Sequence, residues 1–206
     1  GQSIAYYEAR MDEHDRQRRA LAKELRNAIA HDQFRLHYQV QKSVRTGDIT
    51  GYEALLRWRH PERGEVSPAE FIPIAESCGA IVPLGDWVLR TACREAATWL
   101  HPFKIAINLS PLQLGQTDFV LRLGAILEET GLAPGRLELE ITESTIIADK
   151  DRALHILRDI KALGVTVAID DFGTGYSSLE TLRSFPFDKI KLDRSFMTEV
   201  ESSPQA

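Results

Sequence analysis

From Phe103 onward the chain alternates short apolar runs with amphipathic stretches, and that alternation limits its fold more than any other feature. "FKIAINLS" reads as a strand and "TDFVLRLGAILEETG" as a helix closed by a glycine. "RLELEITES", "DKDRALHILRDIKALG" and "VTVAID" continue as strand, helix and strand, and a short helix over "YSSLETLRS" leads to a strand in "DKIKLDRSF". Strands separated by helices of this length pair in parallel, because a crossover must carry the chain back along the sheet. Ahead of this region, "FRLHYQVQ" and "ITGYEALLRWR" form two further strands joined by the turn residues Arg45-Thr46-Gly47-Asp48. Pro68 to Leu100 is helical in pattern, with interruptions expected at Gly79 and Pro83.

No GxGxxG follows the first strand and no Walker sequence is present, which disfavours the nucleotide-binding doubly wound folds. A (β/α) barrel fits better, because polar residues recur at the carboxyl ends of the strands, where barrel active sites lie. They are Glu53, Asn108, Glu140, Asp170, Asp171 and Lys191. Oxygen donors without histidine suit a hard cation such as Mg2+ or Mn2+ rather than zinc or copper. Two such ions about 3.5–4 Å apart would let carboxylates crowd together, an arrangement that cleaves phosphodiesters. Asp170 and Asp171 are neighbours on a strand and would point to opposite faces, so the backbone must turn there. Gly173 and Gly175 are expected to supply the freedom. The competing readings are structural: Asp171 as a helix cap, and Glu138 or its neighbours as partners of arginines.

Composition narrows the class. A net charge of −5 gives no broad basic footprint for DNA or RNA, and no apolar run is long enough to span a bilayer. Cys78 and Cys93 read as plain thiols of a reducing compartment. The six histidines are scattered without paired spacing, against an HD-type phosphohydrolase. Tyr38, Trp58 and Trp87 could stack on a base, although aromatics in amphipathic elements usually belong to the core. Residues 1–30 include a helix with Leu21, Leu25, Ala28 and Ile29 on one face. It is expected either to pack at the domain's edge or to connect an upstream domain to residues 31–206.

The motifs "YEALLRWRHP", "INLSPLQL", "LEITES", "IDDFGTGYSSL" and "FDKIKLDRSF" occur in this order and resemble those of the EAL domain family, phosphodiesterases of the bacterial second messenger cyclic di-GMP. The resemblance implies an α/β fold, a modified (β/α)8 TIM-type barrel whose first strand is antiparallel. It implies metal binding by Glu53, Asn108, Glu140, Asp170 and Asp171, with Glu53, Asp171 and Lys191 in catalysis and Lys191 on the attacking water. Gln39, Leu56 and Arg57 are the implied substrate contacts, Arg57 on a phosphate. Glu143 is the implied brace of the loop from Phe172 to Ser178. The implied reaction gives linear pGpG with two Mg2+ or Mn2+ ions, Ca2+ inhibiting. An upstream sensory or GGDEF-type domain and a bacterial cytoplasmic setting are expected, and a homodimer is admitted. The alternative is a catalytically silent cyclic di-GMP receptor. Val40 stands where the family usually has proline. Six strands are readable where a closed barrel has eight, and a further family glutamate and glutamine have no match here. The natural protein is therefore expected to continue beyond Ala206, or a neighbouring chain to complete the barrel.

Overall fold

The computed structural model describes residues 9–142, 145, 149–172 and 185–192. Helix α1 (Ala9–Ala28) leads into the hairpin β1 (Phe34–Lys42) and β2 (Ile49–His60), followed by the short β3 (Gly64–Val66). Then come α2 (Pro68–Ser77), α3 (Ile81–Ala97), β4 (Lys104–Asn108), α4 (Pro111–Leu114) and α5 (Phe119–Thr130). A 3-10 turn leads to β5 (Leu137–Thr142), α6 (Lys150–Ala162), β6 (Thr166–Phe172) and β7 (Lys189–Leu192). The expected helix over Tyr176–Ser184 lies outside the described residues.

Local chemistry sets several of these boundaries. Gly131 stops α5 with a φ of 70°, a left-handed conformation that costs glycine nothing. Asp149 caps α6 by accepting from the Arg152 amide. The break between α2 and α3 falls at Gly79, whose φ is 74°, as the sequence suggested. Pro83 does not interrupt: it occupies the first turn of α3, where an amide has no helical partner to lose. The strand count also grows to seven among the described residues, since β3 pairs Trp58–His60 with Gly64–Val66. Three residues are too few to show a periodicity.

The sheet runs β1-β2-β4-β5-β6-β7, with β1 antiparallel to β2 and the later neighbours parallel. This is the expected α/β barrel architecture with its antiparallel first strand. At Gly51 a Cβ would stand 2.5 Å from the Lys104 carbonyl oxygen, so only glycine allows the β2–β4 approach. Alternation along the strands divides the molecule into an oily outside and a polar inside. Ile105, Ile107, Leu137, Leu139, Ile141, Val167 and Ile169 point outward and are buried with α3, α5 and α6 in one apolar cluster. Each such side chain contributes about 1.5–3 kcal/mol by leaving water. A second cluster joins Leu21, Leu25 and Ala28 of α1 to Phe34, Trp58 and α2. Trp58 is fully buried there, and Tyr38 and Trp87 pack against the two clusters, so the core reading of these aromatics holds. Cys93 is buried and Cys78 partly so, and neither is in a disulfide. No helix of the described residues is long and apolar enough to cross a membrane.

Candidate active site

The inward-facing set is polar, and five strands deliver it to one place. Lys191 on β7 donates to Glu140 Oε2 at 2.6 Å and to Asp170 Oδ2 at 2.7 Å, with Glu53 Oε2 at 3.4 Å. Asn108 Nδ2 donates to Glu53 Oε1 at 2.9 Å. Register explains the convergence: Asn108 lies beside Glu140 across β4–β5, and Glu53 beside Ala106 across β2–β4. The structure thus brings together Glu53, Asn108, Glu140, Asp170 and Lys191 as the strand-end pattern predicted. Three carboxylates share one ammonium, which leaves an excess of negative charge inside the ring.

Glu140 bears most of that imbalance. Its side chain is 0 % exposed, and its Oε1 has no hydrogen-bond partner among the described residues. Burial, reinforced by the Glu53 and Asp170 charges, pushes its carboxyl up to about 7 against the pull of Lys191. Lys191 is also disfavoured as a cation by burial, but its bonds to Asp170 and Glu140 and the charge of Glu53 outweigh that and raise it. Among the described residues no three acidic, histidine or cysteine side chains are set as a ready cage, because the ammonium holds the carboxylates. The donor set nonetheless fits a hard cation: oxygen ligands throughout, excess negative charge, and an orphaned buried oxygen.

A pH dependence follows. The folded carboxyl holds its proton to about 7, whereas the unfolded chain releases it near 4.5. Between those values the unfolded state binds fewer protons, so this group's effect is to lower metal-free stability as pH rises. In EDTA, melting curves of Glu140→Gln and wild type should therefore diverge with pH, the variant gaining relative stability up to about pH 7.

Asp170 and Asp171 part company at a turn, as the sequence requires. Asp171 itself adopts a φ of 53°, a conformation that aspartate tolerates better than most residues. The β6–β7 ladder shifts register between Ile169 and Phe172, and the Asp171 amide donates to Asp170 Oδ1 at 2.9 Å. Asp170 therefore faces the ring while Asp171 sits exposed at its rim. Gly173 and Gly175, which were expected to make the turn, lie outside the described residues, as do Glu143 and the loop that it was expected to brace.

Beside the ring a cavity of about 470 Å3 is lined by Arg57, Asn108 and Glu140 on one side and by Pro68, Ile72 and Leu84 on the other. That size suits a small organic ligand. Gln39 lies opposite Glu53 in the β1–β2 register. Leu56 packs against both apolar clusters and, like Leu55, also lines this cavity. Leu55 shares the inner face with Glu53 and Arg57, and the i, i+2, i+4 spacing of the three was the available signal. Glu138 pairs with a lysine rather than an arginine, Lys189 Nζ lying 2.7 Å from its Oε1. Sequence reasoning also missed Glu76, which accepts from Ser110 Oγ at 2.6 Å and so anchors the turn after Asn108.

Comparison with known proteins agrees with this architecture. The family model described as "EAL domain" matches residues 22–206. An uncharacterized signaling protein of Caulobacter vibrioides is 51% identical over 98% of this chain and 25% of its own length. The bifunctional diguanylate cyclase/cyclic di-GMP phosphodiesterase MucR of Pseudomonas aeruginosa is 42% identical over 95% of this chain and 29% of its own. The chain thus spans less than a third of these curated relatives. The solved PaMucR phosphodiesterase, in complex with c-di-GMP, superposes with a TM-score of 0.85 at 43% identity. That match covers 90% of this chain and 77% of the other.

Proposed function

The chain belongs to the EAL domain family, and from that membership we propose that it hydrolyses one phosphodiester bond of cyclic di-GMP to give linear pGpG. The observation that carries the reading is the convergence of Glu53, Asn108, Glu140, Asp170 and Lys191 beside a cavity edged by Arg57. Glu53, Asn108, Glu140 and Asp170, with Asp171 at the rim, are the residues that would hold Mg2+ or Mn2+, two ions in the full site. Such ions supply Lewis-acid charge at the phosphoryl oxygens and acidify a bound water.

The chain's own groups do the rest. Arg57 binds a phosphate of the substrate through charge-assisted hydrogen bonds. Gln39, with Leu56 and its neighbour Leu55, both of which line the cavity, holds the nucleotide against the ring. In the metal-free ring Lys191 is held protonated by its carboxylate neighbours. It donates a hydrogen bond to the attacking water and offsets charge as the phosphorus–oxygen bond to the leaving 3′-hydroxyl breaks. In the whole protein an upstream sensory or GGDEF-type domain feeds α1, in the bacterial cytoplasm.

The test is chromatography of cyclic di-GMP incubated with the protein in Mg2+, Mn2+, Ca2+ or EDTA. Linear pGpG should appear in Mg2+ and Mn2+ and be absent in Ca2+ and EDTA, since Ca2+ takes longer bonds and looser geometry. Tight binding without cleavage in Mg2+ and Mn2+ would replace this reading with that of a receptor.

A further inference from the structure

Below the ring the barrel holds a second ammonium. Lys189 leaves β7 two residues before Lys191 and on the same face, and donates to Glu138 Oε1 at 2.7 Å and Gln41 Oε1 at 3.2 Å. Glu138 precedes Glu140 by the same two residues on β5, and its side chain is only 6 % exposed. Two Lys–Glu rungs are thus stacked about 6.6 Å apart, the rise of two strand residues. The lower rung crosses β6, which separates β5 from β7. The crossing is diagonal: on β6 Thr166 pairs with Glu138, and Ala168 pairs with Lys189. A single methyl leaves the lysine a path to the far strand.

The lower rung matters because the backbone leaves the upper one loosely set. The β6–β7 ladder pairs Ala168 with Lys189 and Ile169 with Ile190, then jumps to Phe172 and Leu192. Lys191 therefore stands opposite the bulge formed by Asp170 and Asp171, without a residue paired to it in the ladder. We infer that Lys189 and Glu138 are a positioning pair, which sets the height of β7 against β5 and so places Lys191 Nζ among Glu53, Glu140 and Asp170. Gln41 brings β1, at the other end of the sheet, to the same ammonium. The significance of this placement for turnover rests on the phosphodiesterase reading; the placement itself does not.

The test uses Lys189→Met/Glu138→Gln, which removes both charges at nearly constant volume and leaves no unpaired buried carboxylate. The metal-free protein is examined by 15N NMR of its lysine ammonium groups, with Lys191→Met assigning the Lys191 signal. The double variant should keep the wild-type melting temperature but shift or lose the Lys191 resonance. Its kcat on cyclic di-GMP should fall about 10-fold with KM unchanged, the scale of a lost supporting contact. An unmoved Lys191 resonance in the folded double variant overturns the inference, as does wild-type kcat in an active enzyme. If the wild type itself does not cleave, the phosphodiesterase reading fails while the resonance still decides the positioning role.

Discussion

Glu53→Ala and Asp170→Ala are each expected to lower turnover of cyclic di-GMP by about 10³-fold or more, because several kcal/mol of transition-state charge stabilisation are lost with the ligand. The same variants should melt no lower than wild type in EDTA. Glu53 and Asp170 both push the Glu140 carboxyl upward, so removing either relieves repulsion in a ring that has one ammonium for three acids. A merely structural carboxylate would behave the other way, with the melting temperature falling and surviving molecules still active. Differential scanning calorimetry beside a turnover assay separates the two. A variant that retains wild-type turnover at limiting Mn2+ would remove that residue from the site.

The second large effect separates chemistry from binding. Lys191→Met should reduce kcat by about 10²–10³-fold, the loss typical of one donor aimed at developing charge, with substrate affinity largely kept. It also leaves Glu53, Glu140 and Asp170 without their shared counter-charge, so the metal-free variant should melt lower than wild type at pH 8 and recover in Mn2+. Arg57→Ala should do the reverse, weakening binding by about 10–100-fold through loss of a charge-assisted hydrogen bond while kcat holds. Single-turnover kinetics with titration calorimetry decides the assignment. An exchange of the two patterns would mean that Arg57 serves the chemistry and Lys191 the binding.

The ring was legible in the sequence because strand ends are a local signal: an apolar run closing on a polar residue marks both the strand and its active-site end. Asn108, Glu140, Asp170 and Lys191 carry that mark, Glu53 stands in the interior of β2, and the structure brings the five together. What escaped depends on relations between strands. The Lys189–Glu138 rung runs diagonally across β6, where Thr166 pairs with Glu138 and Ala168 with Lys189, a matter of register across three strands. The turn at the two aspartates was expected, but that the β6–β7 bulge puts a positive φ on Asp171 itself was not. Leu56 was named for its place in a motif and lines the cavity, as does Leu55, which shares the two-residue period of Glu53 and Arg57. Phe34, Trp58 and α1 meet in a second cluster that no single segment announces.

The central claim is that a divalent cation is held by these strand-end oxygens. Its most direct measurement is anomalous scattering at the manganese edge from crystals grown with Mn2+ and cyclic di-GMP. The account predicts a peak within bonding distance of oxygens from Glu53, Asn108, Glu140 and Asp170, with Lys191 Nζ moved off the carboxylates. Mn2+ density elsewhere, or Lys191 still bonded to Glu140 and Asp170 in a metal-saturated and catalytically active crystal, would contradict it.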